Sequence, residues 1–289
     1  MNKENQFSPI VIAGMHRSGT SMLSRILEDG GVRLGSMKDA NHESLFFQRI
    51  NIWMMSLISS SWDSPGEFLD INSKVIDNIN IQLNQLLKSR SNMLYFGWKA
   101  LLLKRNFFDI QSHWGWKDPR NTFTSDLWSN VFPGMRIVYV IRHPIDIAES
   151  LMRRQSKEIQ GDLNRDKKVD GVIKTLLKIN HTNYNSSMIV NSYETCFKLI
   201  DLYYDKISKR NLDNSIIVRF EDLLFNSREK FNDIFKFCSL NVSEKYLKSI
   251  ESQVVESKGF SYKKNPSLLE FESEYKWLID KMGYNSTND

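Results

Sequence analysis

Residues 9–24 read PIVIAGMHRSGTSMLS. Pro9 to Ala13 form a short apolar run of the kind a parallel sheet buries on both faces. Gly14 ends the run, Gly14 to Ser21 make a turn, and Ser21 to Glu28 continue as a helix closed by Gly30 and Gly31. A buried strand, a glycine-containing turn and a helix, in that order, predict an α/β unit with an anion site. Backbone N–H groups at the helix N-terminus point at such a site, and the helix dipole favours negative charge there. The glycines let the backbone come close, and Ser18, Thr20 and Ser21 add hydroxyl donors. The nucleotide-triphosphatase form GxxxxGK[ST] is met only in part. Thr20 stands where that form has lysine, and a fork-shaped guanidinium comes earlier, at Arg17. Without the lysine for the β- and γ-phosphates, the metal-nucleotide logic is weak.

The same alternation runs outward along the chain. Helices are predicted from about Glu43 to Ser59 and from Ser73 to Lys88, the second with Val75, Ile79, Leu83, Leu86 and Leu87 on one face. Short strands are expected near Tyr95 to Trp98 and Trp114 to Trp116. A clearer strand, Arg136 to Ile141, is followed by Pro144 and a helix through about Arg154. A last strand, Ser215 to Arg219, leads to a helix from Glu221 to Phe237, and the C-terminal third reads as helical and aromatic. Strands alternating with helices imply a parallel sheet with helices on both faces. No linker rich in proline, glycine or serine divides the chain, so residues 1–289 read as one domain. Ligands of such sheets bind outside the carboxyl ends of the strands. Arg142 is delivered there, and Ser150, under two helical turns in, is within reach of the same anion. A plain salt bridge for Arg142 is the competing reading.

Bulk composition narrows the class. The chain has 39 Lys and Arg against 34 Asp and Glu, a formal excess of +5. That permits an anionic ligand, but there is no dense basic run of the kind a nucleic-acid binder carries. The dipeptides Arg153-Arg154, Lys167-Lys168 and Lys263-Lys264 are expected on solvated surface. Cys196 and Cys238, with no metal-ligand spacing, are expected as reduced, buried thiols of a cytoplasmic protein. No apolar stretch approaches the ~20 residues that span a bilayer, and the N-terminus lacks the apolar core of a signal peptide. The expectation is a soluble chain with no membrane span.

The loop HRSGTS (residues 16–21) followed by a helix, and RHPIDIAES (residues 142–150) after a later strand, resemble the PAPS-dependent sulfotransferase family. Segments NHESLFFQRIN (41–51), SWDSP (61–65), GWKDPRNTF (115–123) and RFEDLL (219–224) are similar to bacterial members. The likeness runs from about residue 9 to about residue 240. It implies a three-layer α/β fold with a P-loop-NTPase-like parallel sheet, and PAPS as sulfuryl donor with adenosine 3′,5′-bisphosphate as product. It further implies that Arg17, Ser18, Gly19, Thr20 and Ser21 hold the 5′-phosphosulfate, that Arg142 and Ser150 hold the 3′-phosphate, and that Lys117 lies near the transferring group. Glu43 falls where the related branch places its base. Ser257, Lys258 and Gly259 are a faint counterpart of the glycine-rich nucleotide segment of the cytosolic branch, with Lys258 the candidate contact.

Sulfuryl transfer requires in-line positioning and stabilisation of charge on the leaving oxygen. Arg17 and Lys117 are the candidates for that charge, and no metal is expected. A general base assists the acceptor hydroxyl. Glu43 is the first choice, with His42 and His16 also open. Asp118 and Arg120 are expected to form a supporting ion pair, and Glu221 and Asp222 to be structural acids at a helix start. Trp53, Trp62, Trp98, Trp114 and Trp116 are available for stacking on an acceptor, although large aromatics more often fill cores. The acceptor is expected to be a carbohydrate hydroxyl, by analogy with the bacterial likeness. A P-loop kinase and a non-catalytic module on the same fold are the alternatives.

Overall fold

The structure is a computed structural model that describes residues 7–98, 106–165, 187, 189–210 and 213–284. Among the described residues, four parallel strands lie in the order β2-β1-β3-β4. These are β1 (Ile10–Gly14), β2 (Gly115–Lys117), β3 (Arg136–Ile141) and β4 (Ser215–Arg219). Ile10 pairs with Gly115 on one side and Arg136 on the other, and Ile137 pairs with Ser215. Parallel pairing requires long crossovers, here built of helices. Helices α1 (Thr20–Asp29), α2 (Leu45–Ser56) and α3 (Ser73–Lys88) carry the chain from β1 to β2. Helix α4 (Asn121–Val131) leads to β3, and α5 (Pro144–Arg165) and α6 (Tyr193–Ser208) lead to β4. Then follow α7 (Phe220–Phe225), α8 (Ser227–Phe237) and α9 (Glu244–Glu251).

The two-residue period of the strands splits the core into two layers. Val11 and Ala13 face one with Trp116, Ile137 and Tyr139, while Ile10 and Ile12 face the other with Val138, Val140, Leu23 and Phe231. The first layer is dominated by aromatics. Phe47 stacks on Trp116 with centroids 3.8 Å apart. The indole N–H groups of Trp114, Trp116 and Trp128 donate to Phe7 O, Asn121 Oδ1 and Asn51 Oδ1, so these large rings enter the core without orphaning a polar atom. Trp114 and Trp116 are therefore core residues rather than acceptor platforms. Trp98 is 66% exposed.

The predicted β1, β3 and β4 and the helix at 73–88 are all found. The strand expected at Tyr95 to Trp98 is instead a helical turn, Met93–Phe96, ended by Gly97 at φ 85°. Its aromatic residues suited a strand locally. The Tyr95 hydroxyl, however, donates to Arg33 O and Gly115 O, and this pins the turn against the edge of β2. The helix expected over 221–237 is two, broken at Asn226. The helix after Pro144 runs past Arg154 to Arg165. Cys196 and Cys238 are buried and unpaired, as expected. Lys167 and Lys168 lie outside the described residues. Among the described residues no helix is long and apolar enough to cross a membrane.

Strand β2 is short, and its pairing with β1 depends on Gly115, whose absent Cβ leaves room for the Ile10 carbonyl. Gly115→Ala should force the two strands apart and cost at least ~2 kcal/mol. An unchanged urea midpoint for this variant would show that β2 has room to shift.

Candidate active site

The turn after β1 is a closed loop. The Ser18 N–H and hydroxyl both meet Met15 O, at 3.2 and 2.8 Å, and the Gly14 N–H donates to Thr122 Oγ1 at 3.2 Å. The Ser18 hydroxyl is thus engaged in holding the loop. Gly19 sits at φ 99°, where a Cβ would run into the Phe220 ring; only glycine fits this approach of loop to α7. No side chain caps α1, and an uncapped first turn of this kind presents backbone N–H groups that can receive an anion. Thr20 is buried at the start of that turn, and the Ser21 hydroxyl donates to Asn41 O.

Arg17, itself at φ 73°, points its Nε at Ser150 Oγ, 2.9 Å away. Arg142, at the end of β3, reaches Arg17 O at 3.3 Å, Lys258 O at 2.8 Å and Asp146 Oδ2 at 3.1 Å. Its guanidinium lies 4.8 Å from the Phe220 ring centroid. Arg17, Arg142, Ser150 and Lys258, separated widely in sequence, are therefore brought together. Burial, and then the guanidiniums of Arg154, Arg142 and Arg153, hold the Arg17 pKa below its usual value. Such a cluster of like charges favours an anionic ligand. Arg153 and Arg154 both line the site, and Arg154 lies over the Trp62 ring at 4.9 Å. Arg154 is half-buried, a correction to its expected place on solvated surface. The long α5 carries Ser150, Arg153 and Arg154 to the cavity on one face, a direction hidden in a charged stretch.

Asp146 is a site residue that sequence reasoning missed. It takes Arg142 on one side, and on the other the Ser261 and Tyr262 N–H groups at 3.1 and 2.9 Å. Its place four residues after Arg142 at a helix start was the available signal.

Four charges are buried at the end of β2. Lys117 Nζ lies 2.9 Å from Glu43 Oε1, Arg120 lies 3.2 Å from Glu43 Oε2, and Arg120 lies 3.0 Å from Asp118 Oδ1. All four side chains are 2% exposed or less. The Asp118–Arg120 pair expected from sequence is present. Glu43 precedes α2, and its N–H is held by Asp39 Oδ1 at 2.8 Å. Gln48 Nε2 also donates to Glu43 Oε2, at 2.9 Å. Burial alone would raise the Glu43 pKa, but Lys117 and then Arg120 outweigh it and draw the carboxyl down to about 2. Burial pushes Asp118 up to about 6. His16, in the loop, is buried with its ring 4.5 Å from Trp62. His42 sits at φ 62° and is not among the residues lining the cavity.

These groups surround one cavity of about 750 Å³, lined by His16, Arg17, Glu43, Lys117, Arg142 and Ser150 among others. Among the described residues no group of three or more His, Cys, Asp or Glu is placed to hold a metal ion.

Glu43 supplies an acid-labile part of the stability. Its folded pKa lies below its ordinary value of 4.5, so that contribution is complete above pH 4.5 and is lost as the pH falls toward about 2. Glu43→Gln leaves Lys117 and Arg120 buried with less counter-charge. It should cost about 3 kcal/mol at neutral pH and should flatten the stability loss in that acid window. Urea titrations across pH check both; an unaltered pH profile would contradict the pairing.

The sequence profile of the Sulfotransferase family matches residues 9–244. No curated protein matches the chain. Among solved structures, the fold is similar to the sulfotransferase domain from the curacin biosynthetic pathway, with TM-score 0.51, 14% identity, and 96% of this chain and 98% of that chain covered. Sulfotransferase STF1 from Mycobacterium tuberculosis aligns at 15% identity and TM-score 0.43, covering 85% of this chain and 71% of that one. The sulfotransferase domain of the Synechococcus olefin synthase aligns at 15% and 0.42, covering 99% and 91%. The profile match over most of the chain carries the assignment, and the sheet order and crossovers agree with it: the chain belongs to the sulfotransferase family, whose enzymes move a sulfuryl group from PAPS to an acceptor.

Proposed function

We propose that the cavity binds PAPS across the ends of β1 and β3 and transfers its sulfuryl group to an acceptor hydroxyl, on a carbohydrate. The convergence of Arg17, Ser150 and Arg142 carries this reading, since two strand ends deliver a pair of guanidiniums and a hydroxyl to one place. The 5′-phosphosulfate lies on the Gly14–Ser21 turn, against the uncapped first turn of α1. Arg17, Gly19, Thr20 and Ser21 face it, and Ser18 keeps the loop closed. The 3′-phosphate takes Arg142 and Ser150, with Lys258 beside it in the cavity wall.

The reaction needs stabilisation of negative charge on the leaving phosphate oxygen. Lys117 lines the cavity and is held in place by Glu43 Oε1 and by Asn41 O at 3.2 Å. Arg17 approaches from the loop. Both are oriented before the donor arrives, so little reorganisation opposes the transition state. A preorganised donor of this kind is worth about 10²- to 10³-fold in rate. The polar lining at Asn41, Glu43 and Lys117 suits an acceptor rich in hydroxyls better than an apolar one. The free thiols fit a cytoplasmic setting. We read the chain as one domain, a reading supported by the single sheet that the described strands form.

The test is a melting-temperature titration. Adenosine 3′,5′-bisphosphate at about a hundred times its Kd should stabilise the native state by about 2.7 kcal/mol, and Arg142→Ala should abolish the shift. A shift with magnesium-ATP and none with the bisphosphate would overturn the reading in favour of a kinase.

A further inference from the structure

Sequence alone leaves three groups open as the base, and their surroundings differ. Glu43 has both carboxylate oxygens engaged, Oε1 by Lys117 and Oε2 by Arg120 and Gln48. A carboxylate so paired is a weak proton acceptor, and removing it from its cations would leave two buried charges exposed to each other. His42 does not line the cavity. His16 does, and its Nε2 is buried without a hydrogen-bond partner. A buried ring nitrogen left unsatisfied in a cavity wall calls for an explanation. The side chain is fixed on one face by Trp62. The backbone on either side of it belongs to the loop that receives the phosphosulfate.

We propose that His16 Nε2 is the general base, and that Glu43 is a positioning residue that holds Lys117 and Arg120. The inference rests on the PAPS reading above. In the step, the acceptor O–H proton passes to His16 Nε2 while the acceptor oxygen forms its bond to sulfur. The bond between sulfur and the 5′-phosphate oxygen breaks, and its electron pair stays on that oxygen, giving adenosine 3′,5′-bisphosphate. The imidazolium then returns its proton to solvent as products leave. Burial, and then the positive charges of Arg120, Arg154 and Lys117, keep the ring neutral in the free protein, against the opposing pull of Glu43. A neutral ring is the form a base requires. The negative charge of the bound donor offsets those cations and makes the proton easier to accept as the reaction begins.

Two measurements test the assignment, and both use the full chain. The first is NMR of nitrogen-labelled histidine in the wild type, with His16 assigned through the backbone. Nε2 of the neutral ring should be unprotonated, and saturating adenosine 3′,5′-bisphosphate should raise the pH at which the ring protonates. The second is release of radiolabelled sulfate from PAPS with water as the acceptor. His16→Gln should slow the protein-catalysed release by about 10²- to 10⁴-fold while keeping the melting shift with the bisphosphate. Equal release by wild type and variant, or a proton on Nε2 of the neutral ring, would overturn the assignment. Absence of the melting shift in the wild type would instead sink the donor reading. The ring measurement needs no substitution, so it stands even where His16→Gln fails to fold.

Discussion

Four charged side chains are buried together at the carboxyl end of β2, and the site depends on their mutual satisfaction. Desolvating Lys117, Glu43, Arg120 and Asp118 is costly, and the cost is offset only while each keeps its partners. Lys117, Asp118 and Arg120 are close neighbours in sequence; Glu43 comes from the turn before α2. The cluster therefore locks the turn at 39–43 to the end of the sheet. It also extends into the aromatic core. Asn51 of α2 donates to Asp118 at 2.8 Å and accepts from the Trp128 indole of α4 at 2.8 Å. Movement of any one member is resisted by the packing of two helices. That is the support a preorganised charge such as Lys117 requires.

The opposite wall is secured through the C-terminal part of the chain. Asp146 binds the Arg142 guanidinium and the backbone of residues 261–262 at once. Next to it His143 stacks on Tyr262 with centroids 4.5 Å apart. The His143 N–H donates to Glu221, whose other oxygen accepts from Tyr284. Residues 256–284, the least readable part of the sequence, thus supply part of the cavity wall and orient Arg142. Their contribution is made through backbone groups and rings gathered around two helix-start acids.

This explains what could and could not be read in advance. The strands at 10–14, 136–141 and 215–219 were legible because each is a short apolar run with a turn signal behind it, and local pattern decides such elements. The meeting of Arg17, Arg142 and Ser150 was legible because the two arginines follow the carboxyl ends of neighbouring strands and Ser150 follows on the next helix. Glu221 was read as a helix-start acid and stands in the first turn of α7, but its partner Tyr284 lies 63 residues away and left no local trace. The turn at 93–96 was misread because aromatic residues favour strands locally, whereas Tyr95 is held by two carbonyls distant in sequence. Arg154 was read as surface for a similar reason: its inward direction is set by Trp62, which belongs to another segment. Local periodicity identified elements. Long-range polar pairing decided the orientation of charged side chains.

The ends of β1 and β3 are proposed to form one site for a nucleotide carrying phosphate at both 5′ and 3′ positions. Calorimetric comparison of adenosine 3′,5′-bisphosphate with adenosine 5′-monophosphate tests it directly, because the two differ only in the group that Arg142 and Ser150 are proposed to hold. Charge-assisted hydrogen bonds to the 3′-phosphate should make the bisphosphate bind about 10- to 100-fold more tightly. Equal affinity for the two nucleotides would contradict the account.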